Sequence, residues 1–181
     1  MHPVAFAYAT PLNETIWASA DRTVSNWRGQ PGNDTTNLFE YVDDVGGISD
    51  TTYVNLDAFI LNSSRTLAFY MTAPTGDPSP TQNVNLQVRC LYEDNGFQPL
   101  PTAPELTIRL DESGTQRAQG SATSLTQSFA DYSLFLSAAQ INSVTDWNNV
   151  EVEMFFDNTM NTDPDEEAQF KCSECRIIFT P

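Results

Sequence analysis

The sequence predicts an all-β fold, an antiparallel jelly-roll-like β-sandwich of about eight strands with an irregular N-terminal arm. The first observation is the segment 84–92, in which every second residue is apolar while Asn85, Gln87 and Arg89 between them are polar or charged, the pattern of a strand with one buried face. The segments 106–110 and 150–156 alternate in the same way. A second layer of strands is needed to cover such a face, and these segments can supply it.

The strands follow one another along the chain with little helix between them. Strand patterns occur at 38–42, 53–61, 66–71, 84–92, 106–110, 129–136, 150–156 and 170–179. Turn-forming residues at 62–65 predict a hairpin between the second and third strands, and residues 137–142 predict one helical turn. Because no repeat of fixed period is present, propellers and solenoids are not expected.

The 181 residues are enough for one well-buried core and short for two domains. We divide the chain into an extended N-terminal arm, 1–37, and a β-sandwich domain, 38–181. The arm is rich in proline and glycine and carries large aromatic side chains, so it is expected to dock, either on its own sandwich or on a neighbouring subunit. The candidate interface residues are Trp17, Arg22, Trp27 and Arg28.

The chain is strongly acidic, with 24 Asp and Glu against 8 Lys and Arg, a net charge of −16 and a pI near 4.1. Such a surface repels polyphosphate, so no nucleic acid and no anionic membrane is expected as a partner. The first residues lack the basic region of a signal peptide, and no apolar run is long enough to span a membrane. Synthesis in a cytoplasm is therefore expected.

Metal and cofactor sites have little support in the sequence, and no cofactor is expected. Cys172 and Cys175 are three residues apart in a strand, which predicts that they point to opposite faces and share no bond or metal ion. Asp43, Asp44 and Asp50 surround a Gly-Gly turn and are calcium candidates, because calcium prefers several oxygen ligands on a flexible loop. A solvated acidic turn explains the same residues and is favoured.

Catalysis is not expected. The single histidine, His2, lies near the N-terminus, which leaves no base for a Ser-His-Asp or Cys-His arrangement. A carboxylate pair that hydrolyses glycosides stays open, but with 24 acids such a pair has no specific signal. Several aromatic residues could stack on sugar rings or fill the core equally well: Trp17, Trp27, Trp147, Tyr53 and Tyr70.

Several stretches, taken in order, resemble small β-sandwich virion structural proteins of tailed bacteriophages. The stretches are Trp27, the segment 38–44, the segment 50–54, the strand 84–92, the segment 129–137, the segment 141–152 and the closing segment 175–181. Each motif is short, and the resemblance lies in their order over about 150 residues. The acidic stretch after Tyr41 and the length of the loop 157–169 depart from the family pattern.

This resemblance implies a non-enzymatic virion component. The favoured role is a capsid decoration or cement protein on the capsid exterior, bound to the major capsid protein and to copies of itself as a homo-oligomer. A tail, adaptor or fibre-associated position is the alternative within the same class. A carbohydrate-binding β-sandwich module for host-surface attachment is the alternative from another class, and exposed aromatic residues would argue for it.

Overall fold

The computed structural model describes residues 11–30, 32–43, 50–56, 59–94, 99–163 and 165–181. Eleven strands, one short α-helix and two 3-10 helices lie within these ranges. The strands are β1 (Glu14–Thr23), β2 (Trp27–Gln30), β3 (Tyr53–Leu56), β4 (Ser64–Met71), β5 (Asn83–Asp94), β6 (Glu105–Glu112), β7 (Thr115–Gln119), β8 (Thr123–Ser124), β9 (Ala130–Phe135), β10 (Val150–Asp157) and β11 (Ala168–Thr180). The helices are α1 (Ala138–Ser143) and the 3-10 turns Leu38–Tyr41 and Trp147–Asn149.

All strand pairs are antiparallel, and they form two layers that share β1. In the first sheet β11 is central: β5 lies along one of its edges, with β9 outside β5, while β1 and β3 divide its other edge, with β2 outside β3. In the second sheet the order is β1, β4, β10, β6, with β7 and β8 both on the outer edge of β6. The predicted antiparallel β-sandwich is confirmed.

The core fills the space between the two sheets with aliphatic and aromatic side chains. Trp27 contacts Phe156 with ring centroids 5.3 Å apart, and Phe156 stacks on Phe170 at 5.0 Å. Phe156 belongs to the second sheet and Phe170 to the first, so this aromatic column ties the layers together. Trp147 packs edge-on against Phe179 at 5.7 Å and is 3% exposed, so of its two possible roles the structure shows the one in the core.

The prediction of an irregular arm over residues 1–37 is wrong for residues 14–30, which form β1 and β2 of the sandwich. β1 pairs with β11 through Glu14–Trp17 and with β4 from Ala18 onward, and its register shifts twice in the second half. Those irregularities break the period of two, which is why the sequence shows no sustained alternation there. The proposed domain boundary at residue 37 has no counterpart, and residues 1–10 lie outside the described ranges.

The segment 38–42 was predicted as a strand and is instead the 3-10 turn Leu38–Tyr41. Asn37 precedes it with a left-handed φ of 55°. The Asp21 carboxylate then accepts hydrogen bonds from the backbone N–H groups of Leu38 and Phe39 at 3.0 and 2.9 Å. A distant acid in β1 therefore satisfies the free amides at the start of the turn, a contact that local sequence does not contain.

The hairpin predicted at 62–65 is also wrong, because β3 belongs to the first sheet and β4 to the second. The connection crosses between layers, as in Greek-key folds. A hairpin does form between β6 and β7, where Ser113 and Gly114 adopt φ values of 49° and 79°. Positive φ at both turn residues matches the twist of an antiparallel pair. The helical turn predicted at 137–142 is confirmed as α1, which Ser137 caps.

A candidate binding face on the second sheet

The outer side of β4, β10 and β6 carries an unusual set of side chains. Along β10, Val152, Met154 and Phe156 point into the core, so the residues between them, Glu153 and Phe155, point outward with Glu151. The register with β4 and β6 places three rows across this face. The rows are Tyr70, Glu151 and Asp111; Ala68, Glu153 and Arg109; and Thr66, Phe155 and Thr107. We call this surface the charged face.

Ion pairs connect neighbouring strands across the charged face. Arg22 of β1 pairs with Glu151. Arg109 of β6 pairs with Glu153 at 2.8 Å and with Asp111 at 3.4 Å. Three carboxylates thus share two guanidinium groups, and Glu151 and Asp111 are only 2% and 3% exposed. The carboxylates hold the two guanidinium groups in fixed positions, and Arg22, Arg109 and Glu153 are the members of these pairs that reach the surface, where they can bond to a ligand.

Glu151 is a buried acid of the charged face. Burial raises the pKa of its carboxyl above the usual 4.5, and the negative charge of Asp111 acts in the same direction, while Arg22 opposes both. A proton is therefore held more readily here than on an exposed glutamate. The carboxyl group can accept hydrogen bonds when ionised and donate one when protonated.

Two exposed aromatic rings mark the ends of this row of charges. Tyr70 is 42% exposed and Phe155 is 36% exposed. Tyr70 lies opposite Glu151 in the register, and Phe155 is four residues further along β10, a separation of about 13 Å along the strand. An aromatic ring in the middle of a sheet face is usually covered by other side chains. Two exposed rings on one face therefore indicate a surface that binds the flat apolar side of a ligand.

Each aromatic ring adjoins a hollow in the surface. The hollow at Tyr70 has a volume of about 380 Å³ and is bounded by Arg22, Glu151, Asn149 and the β6–β7 turn. The hollow at Phe155 has a volume of about 300 Å³ and is bounded by Thr107, Arg109 and Gln119. Both combine one ring with several hydrogen-bonding side chains, the composition of a site that binds a polar ligand with an apolar side.

The predicted interface residues do not come together. Arg22 lies on the charged face, and Trp17 lies half-buried on the outer side of the first sheet, where Arg176 covers its ring at 5.4 Å. Arg28 is half-buried on β2. Trp27 is 2% exposed and donates from Nε1 to the Thr66 carbonyl at 2.9 Å, so its prediction as an interface residue is wrong: β2 turns this side chain into the core.

The calcium candidates are not gathered into a metal site in the part of the chain described. Asp50 accepts two hydrogen bonds from the Arg89 guanidinium at 2.8 and 2.9 Å and another from Ser173 at 3.1 Å. These contacts hold the pKa of Asp50 below its usual range, the Arg89 bond most strongly. Asp43 is half-buried and Asp44 lies outside the described residues. Within the described ranges no three acid, cysteine or histidine side chains converge.

The expectation that Cys172 and Cys175 point to opposite faces is wrong. A bulge shifts the register of β11 between Cys172 and Glu174, so both thiols point into the core together with Cys90, which lies opposite Cys172. All three are free and buried. Burial raises the pKa of the Cys90 and Cys175 thiols well above the usual 9.0, which makes them unreactive as nucleophiles.

The charged face was largely missed from sequence. Tyr70 was one of several aromatic residues with two open interpretations, and the structure places Trp27 and Trp147 in the core and Tyr70 at the surface. Phe155 could have been found, since it is an aromatic residue at an outward position of the alternating strand 150–156. The ion pairs depend on which strands are neighbours, which the local sequence does not specify.

No family model matches this chain, and no curated protein sequence matches it. Solved structures share parts of its shape. An arabinose-bound MgGH51 α-L-arabinofuranosidase is 12% identical with a TM-score of 0.48, and the chain spans 89% of its own length but 23% of that enzyme. An apo cyclase from Fischerella sp. is 13% identical with a TM-score of 0.49, over 98% of this chain and 92% of that one.

Caldicellulosiruptor saccharolyticus CBM27-1 in complex with mannohexaose is 8% identical, with a TM-score of 0.42, over 85% of this chain and 90% of that one. None of these likenesses reaches a TM-score of 0.5.

Proposed function

We propose that this protein is a non-enzymatic carbohydrate-binding β-sandwich module, and that the charged face of the second sheet holds the ligand. The observation that carries the proposal is the arrangement of Tyr70 and Phe155, two exposed rings on one sheet face with a row of fixed charges between them. A sugar ring has one face of C–H groups, which packs on an aromatic ring, and hydroxyl groups around its edge, which bond to carboxylates and guanidinium groups.

A linear neutral glycan fits this face best. The distance of about 13 Å between the two rings along the strand is long enough for several linked sugars. Glu153 and Arg109 lie between the rings in the register and can accept from or donate to hydroxyl groups. Anionic sugars are disfavoured because the face holds three acids against two arginines on a protein of net charge −16.

The glycosidase alternative receives less support. A hydrolytic pair places two carboxylates on opposite sides of the scissile bond. Glu151, Glu153 and Asp111 instead lie side by side on one sheet face, and each is in an ion pair. Binding without bond cleavage is the simpler use of this geometry.

The test is glycan binding by the intact protein and by single variants. We expect the wild type to bind one or more neutral polysaccharides in affinity electrophoresis or calorimetry, and Tyr70→Ala and Phe155→Ala each to weaken that binding by about tenfold, since a stacked ring contributes on the order of 1 kcal/mol. Phe135→Ala is the matched control, because Phe135 is 70% exposed but belongs to the first sheet. Equal binding by all variants would contradict the proposal.

The virion role stays a prediction, and it is compatible with glycan binding if the module attaches a particle to its host. The acidic composition, with a net charge of −16, favours solubility where many copies are crowded together. Cryo-electron microscopy of particles that carry the protein would test this role. Copies arrayed over the shell would indicate decoration, copies at the tail would indicate the adaptor or fibre position, and absence from particles would remove the virion role.

A further inference from the structure

The edge of β9 that faces away from β5 is a second feature that the proposed function does not use. β9 pairs with β5 along one edge, with Asn85 opposite Phe135 and Arg89 opposite Asp131. The described residues include no strand paired with its other edge. Such an edge carries N–H and C=O groups that can pair with another extended chain.

The direction of the edge groups follows from one hydrogen bond. Leu136 donates from its N–H to the Val84 carbonyl at 2.9 Å, and in an antiparallel pair the bonded residues alternate. The residues of β9 with even numbers therefore bond to β5. Asp131, Ser133 and Phe135 point their N–H and C=O groups away from β5, and their side chains are exposed.

A cleft of about 350 Å³ runs beside this edge, between the two sheets. Leu106, Ile108 and Leu134 supply its apolar wall, and Ser121 and Thr123 supply hydroxyl groups. An added strand would turn every second side chain toward this cleft. The cleft is large enough for at least one apolar side chain of the added strand, and Phe135, 70% exposed, offers an apolar contact on the opposite side.

We infer that the β9 edge binds an extended peptide segment of another protein, which adds to the first sheet as a strand and places an apolar side chain in the cleft. A second copy of this chain fits less well. In a β9–β9 pair the inward side chains, Tyr132 and Leu134, are already in their own core at 8% and 9% exposure, so nothing would fill the cleft. Two copies of charge −16 also repel each other, so a neutral or basic segment is favoured.

Ser133→Pro tests the inference with little damage to the fold. Proline lacks the N–H that Ser133 directs away from β5, and an edge strand tolerates proline at such a position. Ser133→Ala keeps the N–H and is the matched control. Circular dichroism and the thermal midpoint show whether both variants keep the fold.

The probe is a displayed library of random seven-residue peptides, selected on the intact wild-type protein. We expect the selected peptides to alternate apolar and polar residues, to bind Ser133→Ala like the wild type, and to bind Ser133→Pro about tenfold more weakly. Bound peptide should slow hydrogen exchange at the amides of Asp131, Ser133 and Phe135.

Selection of no peptide, or equal binding to both variants, would overturn the inference. A third outcome is that, without any peptide, protection of the three amides from exchange increases with protein concentration. That result would show that a second copy of the chain binds the edge, and it would also overturn the inference. None of these readouts involves Tyr70 or Phe155, so a failure of this inference would leave the glycan-binding proposal untouched, and the reverse is also true.

Discussion

Glu151 combines burial with charge on β10, the middle strand of the charged face. Its side chain is 2% exposed and pairs with Arg22, and burial raises the pKa of the carboxyl above 4.5. The folded protein therefore disfavours the ionised form relative to the unfolded chain. Its contribution to stability is greatest below pH 4.5 and is lost as the pH rises through the raised pKa.

Glu151→Gln removes this titration. We expect the wild type to lose stability relative to Glu151→Gln as the pH rises from about 4.5 toward neutrality, measured by urea unfolding at a series of pH values. A difference between the two proteins that does not change with pH would contradict the assignment.

Asp50→Asn provides a control of opposite sign. Hydrogen bonds from Arg89 lower the pKa of Asp50 below 3.8, so its contribution is present above that value and is lost as the pH falls below it. The variant should be less stable than the wild type at neutral pH and equal to it in strong acid. The difference is expected to be no more than about 1 kcal/mol, because the Asp50 side chain is 39% exposed and its ion pair is screened by water.

The three cysteines are protected by their position in the core. Cys90, Cys172 and Cys175 are each 0% exposed, and the raised pKa values of Cys90 and Cys175 keep those two as thiols near neutral pH. We expect no reaction with a thiol reagent at pH 8 in the folded protein and reaction of three thiols per chain in denaturant. Fast labelling of the folded protein would mean that β11 lies elsewhere.

At the scale of elements, β2 and the 3-10 turn Leu38–Tyr41 depend on a close approach. A Cβ placed on Gly29 would lie 2.3 Å from the Tyr41 ring, and the Tyr41 hydroxyl is held by Asp34. The ring cannot move without breaking that contact. Gly29 is therefore needed for space against the turn.

Gly29→Ala should destabilise the protein by about 1 to 3 kcal/mol, the usual cost of an overpacked site. Gly76→Ala is the control, since the nearest atom to its added Cβ, on Leu12, is 3.9 Å away. That change should alter the free energy of unfolding by no more than about 0.5 kcal/mol. Equal effects in chemical denaturation would show that the turn does not pack on β2.

At the scale of the whole molecule, the net charge of −16 should select among ligands. We expect neutral polysaccharides to bind with little dependence on salt, and an anionic polymer such as polygalacturonate to be excluded at low ionic strength, where the Debye length is about 30 Å at 0.01 M. Affinity electrophoresis at two salt concentrations measures the binding of the neutral polysaccharides and of the anionic polymer. Tight binding of the anionic polymer at low salt would contradict a site for neutral sugars.

The sequence determined the all-β class and seven of the strands, because a strand with one buried face shows its period of two directly, as in β5, β6 and β10. The prediction fails where this period is interrupted. The bulges of β1 caused that strand to be missed, and the bulge of β11 turns the Cys175 side chain to the face opposite the predicted one. The polar edge strands β7 and β8 were also missed, since exposed strands have no apolar face to reveal them.

Tertiary structure alone decided the candidate sites. Tyr70, Glu151 and Asp111 lie far apart in the chain and become neighbours only because β4, β10 and β6 are adjacent in the second sheet. The open edge of β9 likewise depends on which strands remain unpaired among the described residues. The alternation of apolar and polar residues along one strand indicates which of its faces is buried. The order of the strands in the sheet decides which exposed residues become neighbours, and that order is fixed by long-range packing of the two layers.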